Sequence, residues 1–165
     1  MSSIKIVADS TCDLSPELIR DYGITILPLN IVLDMTSYSD GEEISPDEIY
    51  VWAQANKRTP KTAAVAFDRA LALVKGMKEN QEEVIFIGIS SEMSTTCNVM
   101  RLVKEELEYD RMFIIDSRNL STGIGLQVLR AAQLAQEGRS AEEIVKEIEE
   151  ARDKVRASFV VERLD

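Results

Sequence analysis

The chain contains no histidine. That absence removes every Ser-His-Asp and Cys-His nucleophile arrangement from within it. It also removes imidazole-ligated zinc, and two cysteines cannot complete a structural zinc site alone. Cys12 and Cys97 lie far apart and form no pair motif, so two reduced thiols are the simplest reading. Positive charge is also scarce. Nineteen Lys and Arg stand against 29 Asp and Glu, a net charge of −10. A surface that negative repels nucleic-acid backbones and anionic membrane faces. No stretch approaches the roughly 20 apolar residues that span a bilayer. Met1 to Ile6 lacks the basic and then apolar pattern of a signal peptide, so a cytoplasmic protein is expected. Glycine-rich phosphate loops are missing as well. Gly123-Ile124-Gly125 comes nearest, but it lacks a third glycine and falls inside a predicted helix. Close helix packing explains it better.

What is present is an ordinary globular composition, 45% hydrophobic and 29% charged over 165 residues. It suits one domain, 1–165, without repeat or linker. Residues 4–8 and 112–115 read as buried strands, and the apolar run 84–89 suits a strand covered on both faces. Residues 24–33 are apolar but contain Pro28, which predicts two strand pieces or an edge strand. Residues 34–44 read as a polar turn region around Asp40-Gly41, residues 57–65 as a loop, and residues 157–161 as a final strand. Helix starts are marked at Ser15-Pro16, Ser45-Pro46 and Ser140-Ala141, the last two as capping boxes with Glu48 and Glu143. The second of these helices should bury Ile49, Trp52 and Ala53. Further helices are expected over about 66–79, to about Leu107 and to about Glu137, with Gly23 and Gly138 as stops. Strand and helix alternate, which predicts a three-layer α/β/α domain with a mainly parallel sheet.

Ligands of such sheets bind at the carboxyl ends of the strands. Three ends here run into hydroxyl-rich loops: Asp9-Ser10-Thr11, Ser90 to Thr96, and Asp116 to Thr122, which includes Ser117 and Ser121. Each leads toward a helix start, where free N–H groups favour an anion. Helix capping explains Ser10 and Ser121 taken alone. It does not explain the surplus of Ser90, Ser91, Ser94, Thr95 and Thr96 in one loop. Asp9 and Asp116 are either turn caps or metal ligands and bases.

Several segments together resemble the DegV family of bacterial lipid-binding proteins. They are Ile6 to Leu14, Tyr22-Gly23-Ile24 with Pro28-Leu29, Tyr38 to Gly41 with Ile44-Ser45-Pro46, and Pro60-Lys61-Thr62. Ile89 to Ser94, Ile115 to Arg118 and Phe159-Val160-Val161 complete the set, in family order. The resemblance implies a carrier without chemistry or cofactor of its own. It would hold a long-chain fatty acid by its carboxylate, on Thr62 and Ser94 with Ala63 and Thr95 beside them, and present it to a fatty-acid kinase. Ser91, Ser10 and Ser121 are secondary candidates. The family usually continues Thr62 with Ser-Gln-Pro and Ser94 with Gly-Thr-Tyr; here Ala63-Ala64-Val65 and Thr95-Thr96-Cys97 stand instead. Family chains also continue past Phe159-Val160-Val161 into a second lobe. The implied chain is therefore a first lobe without its C-terminal lobe, open to homodimerisation through the uncovered surface. Two other readings stay open: a metal-dependent phosphotransfer or hydrolase enzyme using Asp9 or Asp116, and a structural fragment that binds nothing.

Overall fold

The computed structural model describes residues 3–33, 36–40, 42–58, 61–119 and 122–163. Its strands are β1 (Ile4–Asp9), β2 (Thr25–Leu27), β3 (Asn30–Leu33), β4 (Thr36–Ser39), β5 (Lys61–Ala63), β6 (Glu83–Gly88) and β7 (Met112–Asp116). Its helices are α1 (Pro16–Asp21), α2 (Pro46–Asn56), α3 (Phe67–Glu79), α4 (Thr96–Leu107), α5 (Thr122–Gln136) and α6 (Ala141–Arg163), with a 3-10 turn over Ser10–Cys12.

The apolar run in β6 makes it the centre of the molecule, with all six residues buried. β1 and β7 flank it in parallel, Val7 and Ile114 both opposite Phe86. β2 adds in parallel to β1, giving the order β2-β1-β6-β7. Side chains alternate between the faces. Ile6, Ala8, Ile85, Ile87 and Ile115 pack with Ile124, Val128, Ile144 and Ile148 of α5 and α6. Val7, Val84, Phe86 and Met112 pack on the other face with Ala70 and Val74 of α3 and Met100 and Val103 of α4. The three layers follow from this alternation. Each fully buried aliphatic side chain contributes roughly 1.5–3 kcal/mol.

Helix starts follow the sequence signals. Leu18 N–H donates to Ser15 Oγ at 3.2 Å. Ser45 and Glu48 cap each other's backbone N–H groups, both at 3.2 Å, and Ser140 pairs with Glu143 in the same way. Gly138 takes φ +86° just past α5, a conformation that favours glycine. A Cβ on Gly125 would sit 2.6 Å from the Cys12 carbonyl oxygen, so the glycine lets α5 approach the 3-10 turn.

Pro28 does split the apolar stretch 24–33, and the halves join different sheets. β3 leaves the main sheet and pairs antiparallel with β4 and β5 in a second sheet, β4-β3-β5. The sequence does not announce this sheet. Residues 36–39, expected in a turn region, form β4, and residues 61–63, expected in a loop, form β5. β4 is exposed or half-buried along its length, and both are short edge strands, so neither carries an apolar alternation to read. Gly41, half of the expected turn, lies outside the described residues. α2 covers the small sheet but buries no residue fully; Ile49 and Trp52 are half-buried against Ile31, Leu33 and Ile44. The expected strand at 157–161 is also overturned, because α6 continues unbroken to Arg163. No glycine or proline separates Ala151 from Phe159, and the intervening Ala, Arg and Lys residues favour helix.

Both thiols are buried, Cys12 at the 3-10 turn and Cys97 in the first turn of α4. Burial pushes the Cys97 thiol up to about 12, helped by the nearby charge of Asp116, and burial also raises Cys12. The thiolate is the nucleophile, so neither reacts readily near neutral pH. A disulfide reagent should label the native chain far more slowly than the denatured chain, which should release two equivalents. Fast labelling of the native chain would contradict this packing.

Candidate functional site

The carboxyl ends of β1 and β6 meet around one buried carboxylate. Asp9 ends β1 and is fully buried. Its Oδ1 accepts from the backbone N–H of Thr11 at 2.8 Å and from the Thr11 hydroxyl. Its Oδ2 accepts from the backbone N–H of Ile89 at 2.6 Å. Asp9 thus fixes the 3-10 turn and ties it to the residue before the hydroxyl-rich loop. Both oxygens are engaged by neighbours, which gives Asp9 a structural task.

The loop from Ser90 to Thr95 is built by its own backbone and by β7. Met93 N–H and Ser94 N–H donate to the Ser90 carbonyl at 2.9 and 3.1 Å. Ser91 N–H faces both oxygens of Asp116 at 3.3 Å, and Arg118 N–H donates to Asp116 Oδ1 at 2.9 Å. Asp116 therefore braces this loop and its own turn. Its carbonyl accepts from Arg152 Nη1 at 3.0 Å, which links α6 to the same end of the sheet.

Ser94 stands half-buried before α4. Its Oγ accepts from Thr96 N–H at 3.2 Å and lies 2.9 Å from Thr96 Oγ1. Thr95 occupies the N-cap position, is exposed, and makes no side-chain cap bond. The helix therefore begins with one N–H satisfied by Ser94 and with the exposed Thr95 hydroxyl beside it, while Thr96 is fully buried. α4 and α5 have no acid in their first turns, whereas α1, α2, α3 and α6 each have at least one. The first turn of α4 thus adds no negative charge of its own, while Asp116 at the end of β7 lies near enough to raise the Cys97 thiol.

Ser10 sits at the neighbouring strand end. Its Oγ donates to Asp40 Oδ2 at 2.7 Å and accepts from Leu29 N–H at 3.0 Å. Thr62 and Ala63 lie in β5, with Thr62 opposite Ile31 and Ala63 opposite Asn30 of β3. The side chain of Thr62, and all of Ser121, lie outside the described residues. Ser91, Ser94 and Thr95 thus share one loop, Ser10 adjoins it through Asp9 and Ile89, and Thr62 and Ala63 come from the small sheet. Asp40 and the Ile89 N–H belong to this construction too. The sequence carries no signal for either, because each pairs with a residue 30 or 80 positions away.

Among the described residues, no helix is long and apolar enough to cross a membrane, and no group of three or more His, Cys, Asp or Glu is placed to hold a metal ion.

Comparison with known proteins gives a consistent result. A family model described as "Uncharacterised protein, DegV family" matches residues 3–165. A DegV domain-containing protein of Clostridium perfringens is 41% identical over 165 residues, covering 100% of this chain and 59% of the relative. One from Caldanaerobacter subterraneus is 34% identical over the same length, with the same coverage. The chain thus spans about 59% of the length of these curated relatives. Among solved structures, a fatty-acid-binding DegV family protein from Thermus thermophilus is 31% identical with a TM-score of 0.83, over 92% of this chain and 54% of that one. A stearic-acid-binding protein from Eubacterium ventriosum is 27% identical with a TM-score of 0.80, over 90% and 52%. DegV of Bacillus subtilis, a fatty acid binding protein, is 26% identical with a TM-score of 0.84, over 93% and 55%.

Proposed function

The chain belongs to the DegV family, and on that premise we propose that it binds a long-chain fatty acid by its carboxylate at the carboxyl end of the parallel sheet. The observation that carries this reading is the start of α4. There a surplus of hydroxyls in Ser90 to Thr96 meets a helix whose own first turn carries no acid. Hydroxyls and N–H groups hold a carboxylate without a fixed cation, which suits a ligand that must also be released. Thr62 and Ser94 are the proposed contacts, with Ala63 and Thr95 beside them and Ser91, Ser10 and Ser121 around them. Related structures of the same fold that bind fatty acids support the ligand class.

In this reading the chain is a cytoplasmic carrier and performs no chemistry itself. It presents the fatty-acid head group to a separate fatty-acid kinase. Exposed Met93 in the loop and exposed Leu126 in α5 offer apolar surface near strand ends for a second copy of the chain. Organic extraction of the purified protein followed by mass spectrometry tests the ligand class. A stoichiometric long-chain fatty acid is expected. Recovery of none, with no uptake of added oleate, would remove the proposal.

A further inference from the structure

We propose that Ser10 is a positioning residue for the ligand head group, setting the placement of β5, which carries Thr62, relative to the loop that carries Ser94. The inference rests on the fatty-acid reading above. It begins from how the small sheet is attached. That sheet has its own core of Ile31, Leu33 and Ile44, separate from the two cores of the main body. The chain enters it past Pro28 and leaves it past Ala64. Leu29 before β3 and Val65 after β5 are buried in the core beneath α3 and α4, and among the described residues two side-chain hydrogen-bonding ties reach across besides. One is the pair of Arg69 on α3 with Glu42, at 2.7 and 2.5 Å, between exposed side chains. Exposed pairs contribute little, about 0–1 kcal/mol. The other is Ser10.

Its hydroxyl uses both capacities on the small sheet's entry. It donates to Asp40, just past β4, and accepts from Leu29 N–H, just before β3. Asp40 N–H in turn donates to the Leu29 carbonyl at 2.9 Å, so the three residues form a closed corner. Asn30 follows Leu29, pairs with Ala63, and its Nδ2 donates to the Ala64 carbonyl at 3.3 Å. The corner is thereby continuous with β5. On the other side, Asp9 binds Ile89 N–H at the entrance to the Ser94 loop. Two consecutive residues therefore hold the two arms of the proposed site, Asp9 the Ser94 arm and Ser10 the Thr62 arm.

There is room for the arm to move if the strut is cut. The Ser10–Asp40 bond borders a cleft of about 450 Å³ lined by Leu14, Ile19, Ile26 and Pro28. Leu29 and Val65 stay anchored in the core beneath α3 and α4, so cutting the bond frees the corner at Asp40 rather than the whole sheet. A carboxylate that needs both arms would then find one displaced. The expected loss equals about one charge-assisted hydrogen bond, near tenfold in affinity.

The test is titration with oleate of the wild-type chain, Ser10→Ala, Ser10→Thr, Asp40→Ala and Thr62→Val, alone and with Ser10→Ala. Ser10→Ala and Asp40→Ala should each weaken binding about tenfold, and Ser10→Thr, which keeps the hydroxyl, should restore it. Ser10→Ala should add no further loss once Thr62→Val is present, because the arm it positions then carries no donor. In Ser10→Ala, amide hydrogen exchange should rise in residues 30–33, 36–39 and 61–63 and stay unchanged in β1 and β6. Wild-type binding of oleate with unaltered affinity in Ser10→Ala would overturn the positioning role alone. So would an equal loss with and without Thr62→Val, which marks general destabilisation. Failure of the wild type to bind oleate would overturn the fatty-acid reading itself, and unchanged exchange would overturn the strut whatever the ligand result.

Discussion

Replacing Asp9 with alanine should cost the fold about 3 kcal/mol or more, from hydrogen bonds to a charged group worth roughly 1.5–3 kcal/mol each. Asp9 is fully buried and accepts from two backbone N–H groups and one hydroxyl. Without it, the Ile89 N–H at the end of the central strand has lost its acceptor in a place water does not reach. The 3-10 turn and the β1–β6 junction loosen together, and both arms of the proposed site start from that junction. Asp9→Asn should recover little. Its amide keeps one acceptor, and its NH2 then faces a donor at Ile89 or Thr11. Urea unfolding followed by circular dichroism gives the measurement. A loss under about 1 kcal/mol would show that the junction is held by other contacts.

The second large effect is functional. Thr62→Val with Ser94→Ala should lower affinity for a long-chain fatty acid at least about hundredfold, since two hydrogen bonds to a carboxylate together amount to roughly 3 kcal/mol or more. Ser94 also caps α4 by accepting from Thr96 N–H, so its removal costs the fold about 1 kcal/mol besides. Thermal unfolding of the double variant separates the two effects. A folded variant that no longer takes up oleate is expected. A folded variant with retained affinity would reduce both residues to helix and strand chemistry.

The core was legible in the sequence where local pattern and tertiary role coincide. Residues 84–89 are buried on both faces, and a continuous apolar run says so; in 112–115 Met112 and Ile115 are buried and Phe113 and Ile114 half-buried, as befits an edge strand. Ser15, Ser45 and Ser140 cap helices through contacts three residues away, which spacing reveals. Pro28 announced a break, but not that its two sides enter different sheets. β4 and β5 escaped because short, exposed edge strands look like loops. The stretch 157–161 has strand-forming residues, yet it continues α6, because nothing in the preceding residues stops the helix.

The site was legible unevenly for the same reason. A surplus of hydroxyls between Ser90 and Thr96 stands out without any structure. Thr62 came only from resemblance to a family, since a threonine after Pro60-Lys61 has no distinguishing chemistry. The tasks of Asp9 and Ser10 were invisible. Their partners, Ile89 and Asp40, are distant in sequence, and a strand-end acid or serine reads equally well as cap, base or ligand.

Under the fatty-acid reading the carboxylate lies between β5 of the small sheet and the start of α4. Carbon-13 NMR of oleate labelled at its carboxyl carbon reads that head group directly. One protein-bound carboxylate signal is predicted, distinct from free oleate and lost in Thr62→Val with Ser94→Ala. A spectrum showing only free oleate, or a bound signal that the double variant leaves unchanged, would contradict it.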